Sequence, residues 1–138
     1  MRNEELSLEG CFWSMFLVME PNAIRDKSYK FAIRIVKPNK YLKEEKSEYI
    51  LSKQLLRCGT SVEANVSEAQ RGQTKADFSA KMYMALKEAE ESSYWIMLLK
   101  EAGFLSEKEF GSIDADCEEL IRLLTSITKS SAPRNKSK

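Results

Sequence analysis

Few residues in this chain can do chemistry, and their spacing argues against most reactions. There is no histidine. That removes His-based general acid–base catalysis, Ser-His-Asp and Cys-His pairs, His-containing zinc sites and carboxylate–histidine di-iron sites. The three cysteines, Cys11, Cys58 and Cys117, are odd in number and widely separated, which is neither a disulfide framework nor a zinc pattern. Cys58 and Cys117 fall on apolar helical faces, where a free cysteine acts as a small core residue. Such usage points to a reducing cytoplasm. Neither a Walker-type loop nor a dinucleotide-binding glycine pattern is present to cradle phosphates. Glu88, Glu91, Glu118 and Glu119 could in principle supply an all-oxygen cation site. Their spacing also gives solvated faces and i,i+4 partners such as Lys87–Glu91, which is the expectation here. No catalytic residue, metal or cofactor is expected.

Two polar strips remain. Lys27, Lys30, Arg34 and Lys37 share an arc about 80° wide on one helix. They are the candidate contacts to an RNA or DNA backbone. The competing expectation is a charged face that complements acidic helices, within one subunit or between subunits. The second strip is Arg57, Ser61, Asn65 and Glu68. If buried, these groups need partners from one another or from the third helix. A structural polar network that sets helix register or subunit packing is expected there, ahead of a ligand site.

The elements that must carry these strips are legible from composition and spacing. The 138 residues are 43% hydrophobic and 31% charged, with only five Gly and three Pro. That favours one globular domain of few, long helices. A helix over 23–43 has an apolar arc of roughly 200° that includes Ile24, Tyr29, Phe31, Ile33, Ile35, Val36 and Leu42. Pro38 lies inside it and either kinks or interrupts it. A second helix over 45–70 has Leu51, Leu55, Cys58, Val62, Val66 and Ala69 in a heptad-like seam. Within it, Gly59 is either a close-approach point or a tolerated surface glycine. Thr74 caps a third helix over 75–102, with a seam of Phe78, Met82, Ala85, Ala89, Ser92, Ile96 and Leu99. Gly103 ends it. The Ser106–Glu109 capping box opens a fourth helix over 106–130, with Phe110, Ile113, Cys117, Leu120, Leu124 and Ile127 inward.

Short turns between long helices predict an all-α, up-down-up-down antiparallel four-helix bundle over residues 19–130. The apolar arcs of the first and third helices are wider than one neighbour covers, which predicts subunit or partner contacts. Residues 1–18 read as an N-terminal extension and 131–138 as a disordered basic tail. The apolar run Cys11–Met19 is too short to span a bilayer, and the acids around Arg2 do not suit a signal peptide. No membrane association is expected. The near-neutral total of 22 Lys+Arg against 21 Asp+Glu hides an asymmetry. Residues 24–57 hold ten basic groups and four acids, whereas 86–120 hold three basic groups and ten acids.

Several stretches together also resemble a known family. Lys27-Ser-Tyr-Lys-Phe-Ala-Ile-Arg-Ile-Val36 resembles the first helix of the 23S ribosomal RNA intervening-sequence proteins. Glu48 through Ala69 resembles their second-helix signature. Thr74-Lys-Ala-Asp-Phe78, Ala85-Leu-Lys-Glu-Ala89, Tyr94-Trp95 and Leu98-Leu-Lys100 with Gly103 are similar to their third helix. The likeness covers about residues 23–129. It implies a small bundle that assembles as a homopentamer, encoded in inserts within ribosomal RNA genes and elsewhere in bacterial genomes. The bundle is also similar to the nucleic-acid-binding accessory protein of diversity-generating retroelements. Pro38, Glu63 and Glu90 depart from the pattern, and the last two lower the positive charge. The likeness does not extend to residues 1–18.

Overall fold

Apolar residues recurring at steps of three and four draw the chain into helices, each burying one stripe. The computed structural model describes residues 23–132 as α1 (Ala23–Glu44), α2 (Leu51–Gln70), α3 (Lys75–Glu101) and α4 (Glu107–Ser131). No strand occurs among the described residues. The helices form an antiparallel four-helix bundle, as the spacing predicts. Its core takes Phe31, Ile35 and Leu42 from α1 and Leu55, Cys58, Val62 and Val66 from α2. Met82, Ala89, Ile96 and Leu99 of α3 and Cys117, Leu120 and Leu124 of α4 complete it. Among neighbouring helices, packing is most extensive between α2 and α3 and thinnest between α1 and α4, the pair that closes the bundle.

The connections follow local hydrogen bonding. The Thr74 hydroxyl accepts from the Asp77 N–H at 3.0 Å and starts α3. Gly103, at φ +88°, ends α3. There the Phe104 N–H reaches the Leu99 carbonyl and the Gly103 N–H reaches that of Lys100, a Schellman ending. The predicted capping box opens α4: Ser106 Oγ accepts from the Glu109 N–H at 3.1 Å, and Glu109 Oε1 accepts from the Ser106 N–H at 2.8 Å.

Two sequence expectations are refined. The second helix begins at Leu51, not near 45, because residues 45–50 reverse the chain through Ser47 at φ 55°. Its first turn is capped from outside the helix. The Glu48 carboxylate accepts from the N–H groups of Ile50, Leu51 and Ser52 at 3.1, 2.9 and 2.7 Å. Asn39 Nδ2 donates to the Ser52 carbonyl at 3.0 Å and ties α1 to this corner. Pro38, for its part, lies within a continuous α1, which loses one rung of its hydrogen-bond ladder there. At Gly59 the choice between close approach and surface glycine is resolved. A Cβ there would stand 3.1 Å from Ile35 Cγ1, so the missing side chain lets α1 and α2 meet. The predicted extension, 1–18, and residues 133–138 of the predicted tail lie outside the described residues; Ser131 is buried in the last turn of α4.

Glu48 makes the α1–α2 corner sensitive to acid. Burial opposes its charge, but the hydrogen bonds from Leu51, Ser52 and Ile50 outweigh that and hold the carboxyl below the usual range. Its contribution is therefore complete above the unfolded pKa of about 4.3 and is lost as pH falls through the lower folded value. Glu48→Gln is expected to destabilise the bundle by about 1–2 kcal/mol at neutral pH, the scale of a lost helix cap. In urea unfolding the gap to wild type should close as pH falls below about 4. A gap that stays constant with pH would contradict this role.

Candidate functional site

The steps of three and four from Lys27 to Lys37 put the four basic residues on one side of α1, and the bundle then divides them. Lys27 Nζ pairs with Glu119 of α4 at 3.0 Å. The Arg34 guanidinium forms an ion pair with Asp116, donates to Ser112 Oγ at 2.6 Å and reaches the Ser112 carbonyl at 3.4 Å. Lys30 and Lys37 are exposed and make no ion pair among the described residues. Half of the strip thus complements the acidic fourth helix of the same chain, and half faces outward. Beyond Lys30 and Lys37, on the side of α1 opposite the core, lie Tyr29, Ile33 and Val36, 58%, 46% and 51% exposed. The wide arc predicted for this helix therefore splits into a buried stripe and an uncovered one.

The α2 strip does not come together as one network. Arg57 crosses to α3, where it ion-pairs with Glu91, lies 3.6 Å from Glu88 and donates to Gln54 Oε1 at 3.4 Å on its own helix. Glu91 also accepts from the Trp95 indole N–H at 3.0 Å. Glu68 makes a separate bridge to Lys81 at 2.8 Å, and Lys81 holds its carboxyl below the usual range. Ser61 and Asn65 bond within α2, Asn65 Nδ2 donating to the Ser61 carbonyl at 2.9 Å. The partners Lys81, Glu88, Glu91 and Trp95 were not assigned from sequence as counterparts. The available signal was opposite charge on the edges of two adjacent seams.

Nothing among the described residues assembles a reaction centre. Cys58 and Cys117 are buried in the core. The Ser92 hydroxyl donates to Cys58 Sγ at 3.2 Å, and the Cys117 thiol donates to the Ala89 carbonyl at 3.3 Å. Burial pushes Cys58 up to about 11 and Cys117 to about 12, so both are neutral thiols at physiological pH. No group of three or more His, Cys, Asp or Glu is placed to hold a metal among the described residues. Surface clefts of about 230, 190 and 160 Å³ fall below the roughly 300–1,000 Å³ of small-molecule sites. No described helix is long and apolar enough to cross a membrane.

These features define a small antiparallel helical bundle whose outward chemistry is charge and uncovered apolar area. The model of the family described as 23S rRNA-intervening sequence protein matches residues 20–126, and the chain belongs to that family. This is not a known enzyme family. The chain is also similar to the crystal structure of a protein of unknown function from the S23 ribosomal protein family of Bacteroides thetaiotaomicron. The two share 45% identity over 77% of this chain and 98% of that one, with a TM-score of 0.76. No curated protein matches.

The thiol environments give a direct test. In a chain carrying Cys11→Ser, a disulfide reagent at pH 8 should modify Cys58 and Cys117 only after denaturant is added. Rapid labelling of either in the folded protein would contradict their burial.

Proposed function

We propose that this protein works by association and performs no catalysis: a homo-oligomer that binds the backbone of RNA or DNA through the outer face of α1. The observation that carries this is the adjacency of two unpartnered chemistries on that face. Exposed Tyr29, Ile33 and Val36 lie beside exposed Lys30 and Lys37. The apolar stripe supports self-association, because area of this kind on a small bundle is stabilised by cover. The homopentamer implied by the family resemblance is the assembly we propose, in the cytoplasm and without membrane attachment. The lysines support backbone binding, with Lys30 and Lys37 as the contacts. Lys27 and Arg34 instead serve the α4 seam.

A scaffold for protein partners with no nucleic-acid role is the second reading. It is favoured by the intramolecular pairing of Lys27 and Arg34, which commits half of the basic strip to α4.

Light scattering at micromolar concentration should give a multiple of the chain mass, and Ile33→Glu should reduce it. A wild-type protein that stays monomeric would sink the assembly. In gel-shift titrations, Lys30→Glu with Lys37→Glu should weaken binding to structured RNA about tenfold or more and flatten its salt dependence. Unchanged affinity would favour the scaffold.

A further inference from the structure

The thin contact between α1 and α4 leaves a cleft of about 230 Å³ near the end of the bundle where α1 finishes and α4 begins. Pro38 and Tyr41 of α1 form one wall, and Leu105 and Ile113 supply buried apolar surface opposite. Lys37 and Glu109 complete the lining from the two helices. Lys46 stands over the Tyr41 ring, its Nζ 6.0 Å from the centroid. Lys40 and Lys43 are exposed on the same last turns of α1. The cleft is too small for a drug-sized cofactor, but its size suits a single planar ring system.

We propose that this cleft receives one unstacked base of a single-stranded nucleic acid, stacked on Tyr41, with the flanking phosphates on Lys37 and Lys46. The proposal rests on the α1 face binding nucleic acid and specifies the form of the ligand. Two features select a base over other occupants. The walls are mostly apolar and include an aromatic face, which stacks with any base. Glu109 disfavours a phosphate inside the cleft, so the anionic backbone stays at the mouth, where the lysines stand. A duplex keeps its bases stacked and paired and must be opened to fill the cleft, at a cost a single strand does not meet.

The test is fluorescence anisotropy with a labelled single-stranded RNA of about 12 nucleotides and with the same strand annealed to its complement. The wild-type chain should bind the single strand about tenfold or more tighter than the duplex. Tyr41→Ala should lower single-strand affinity about tenfold and leave duplex affinity unchanged. Tyr41→Phe, which keeps the ring, should behave as wild type, and Lys37→Glu should weaken both. Equal binding of single strand and duplex, unmoved by Tyr41→Ala, would overturn the base pocket while leaving backbone binding intact. Binding of neither would overturn both.

Discussion

The bundle closes on charge. In an up-down-up-down arrangement the first and last helices must meet for the core to be sealed, and here they share less packing than the other neighbouring pairs. Their seam is held by Arg34 on Asp116 and Ser112 and by Lys27 on Glu119. Arg34 and Asp116 are each 40% exposed at the side chain, so the pair is screened and modest on its own. Its weight comes from position: it lies over Phe31 and Ile35, fully buried on the adjacent face of α1. A guanidinium that engages a carboxylate and a hydroxyl together also fixes direction in a way a lysine does not.

That constraint orders the rest of the surface. Basic groups on the first helix and acids on the fourth meet along one edge of the bundle, which uses two of the ten basic groups of residues 24–57 and two of the ten acids of residues 86–120. The same requirement decides which lysines remain for partners. Side chains pointing from α1 toward α4 are used internally, and those one step further round, Lys30 and Lys37, are left outside. The α2–α3 edge repeats the device with Arg57 on Glu91 and Glu68 on Lys81, over a much larger apolar contact. Capping residues then set where α2, α3 and α4 start, and Gly59 sets how closely α1 can approach α2.

Most of this fold was legible in the sequence because it rests on period and on caps. The predicted seams of α2 and α4 are buried apart from Leu51 and Phe110, which are half-buried, and Ser52, Gly59 and Ser131, outside those seams, are buried as well. Thr74, Gly103 and the Ser106–Glu109 box act where their residue types say they should. The start of α2 was misplaced because its cap is a glutamate that folds forward over three N–H groups, and no standard N-cap pattern marks it. The partition of the basic strip was not legible either. Helical spacing shows that four charges share a side, but which of them reach a neighbouring helix depends on that neighbour's rotation. The division of the α2 strip into two bridges has the same origin. Spacing describes one helix, whereas a cross-helix pair needs two in register.

The account stands most directly on the Arg34–Asp116 contact, and a double-mutant cycle by urea unfolding measures it. Arg34→Glu and Asp116→Arg should each destabilise the bundle, and the swapped pair should recover about 0.5–1 kcal/mol of the summed loss. Effects that simply add, within about 0.3 kcal/mol, would show that the first and fourth helices do not depend on this charge pair.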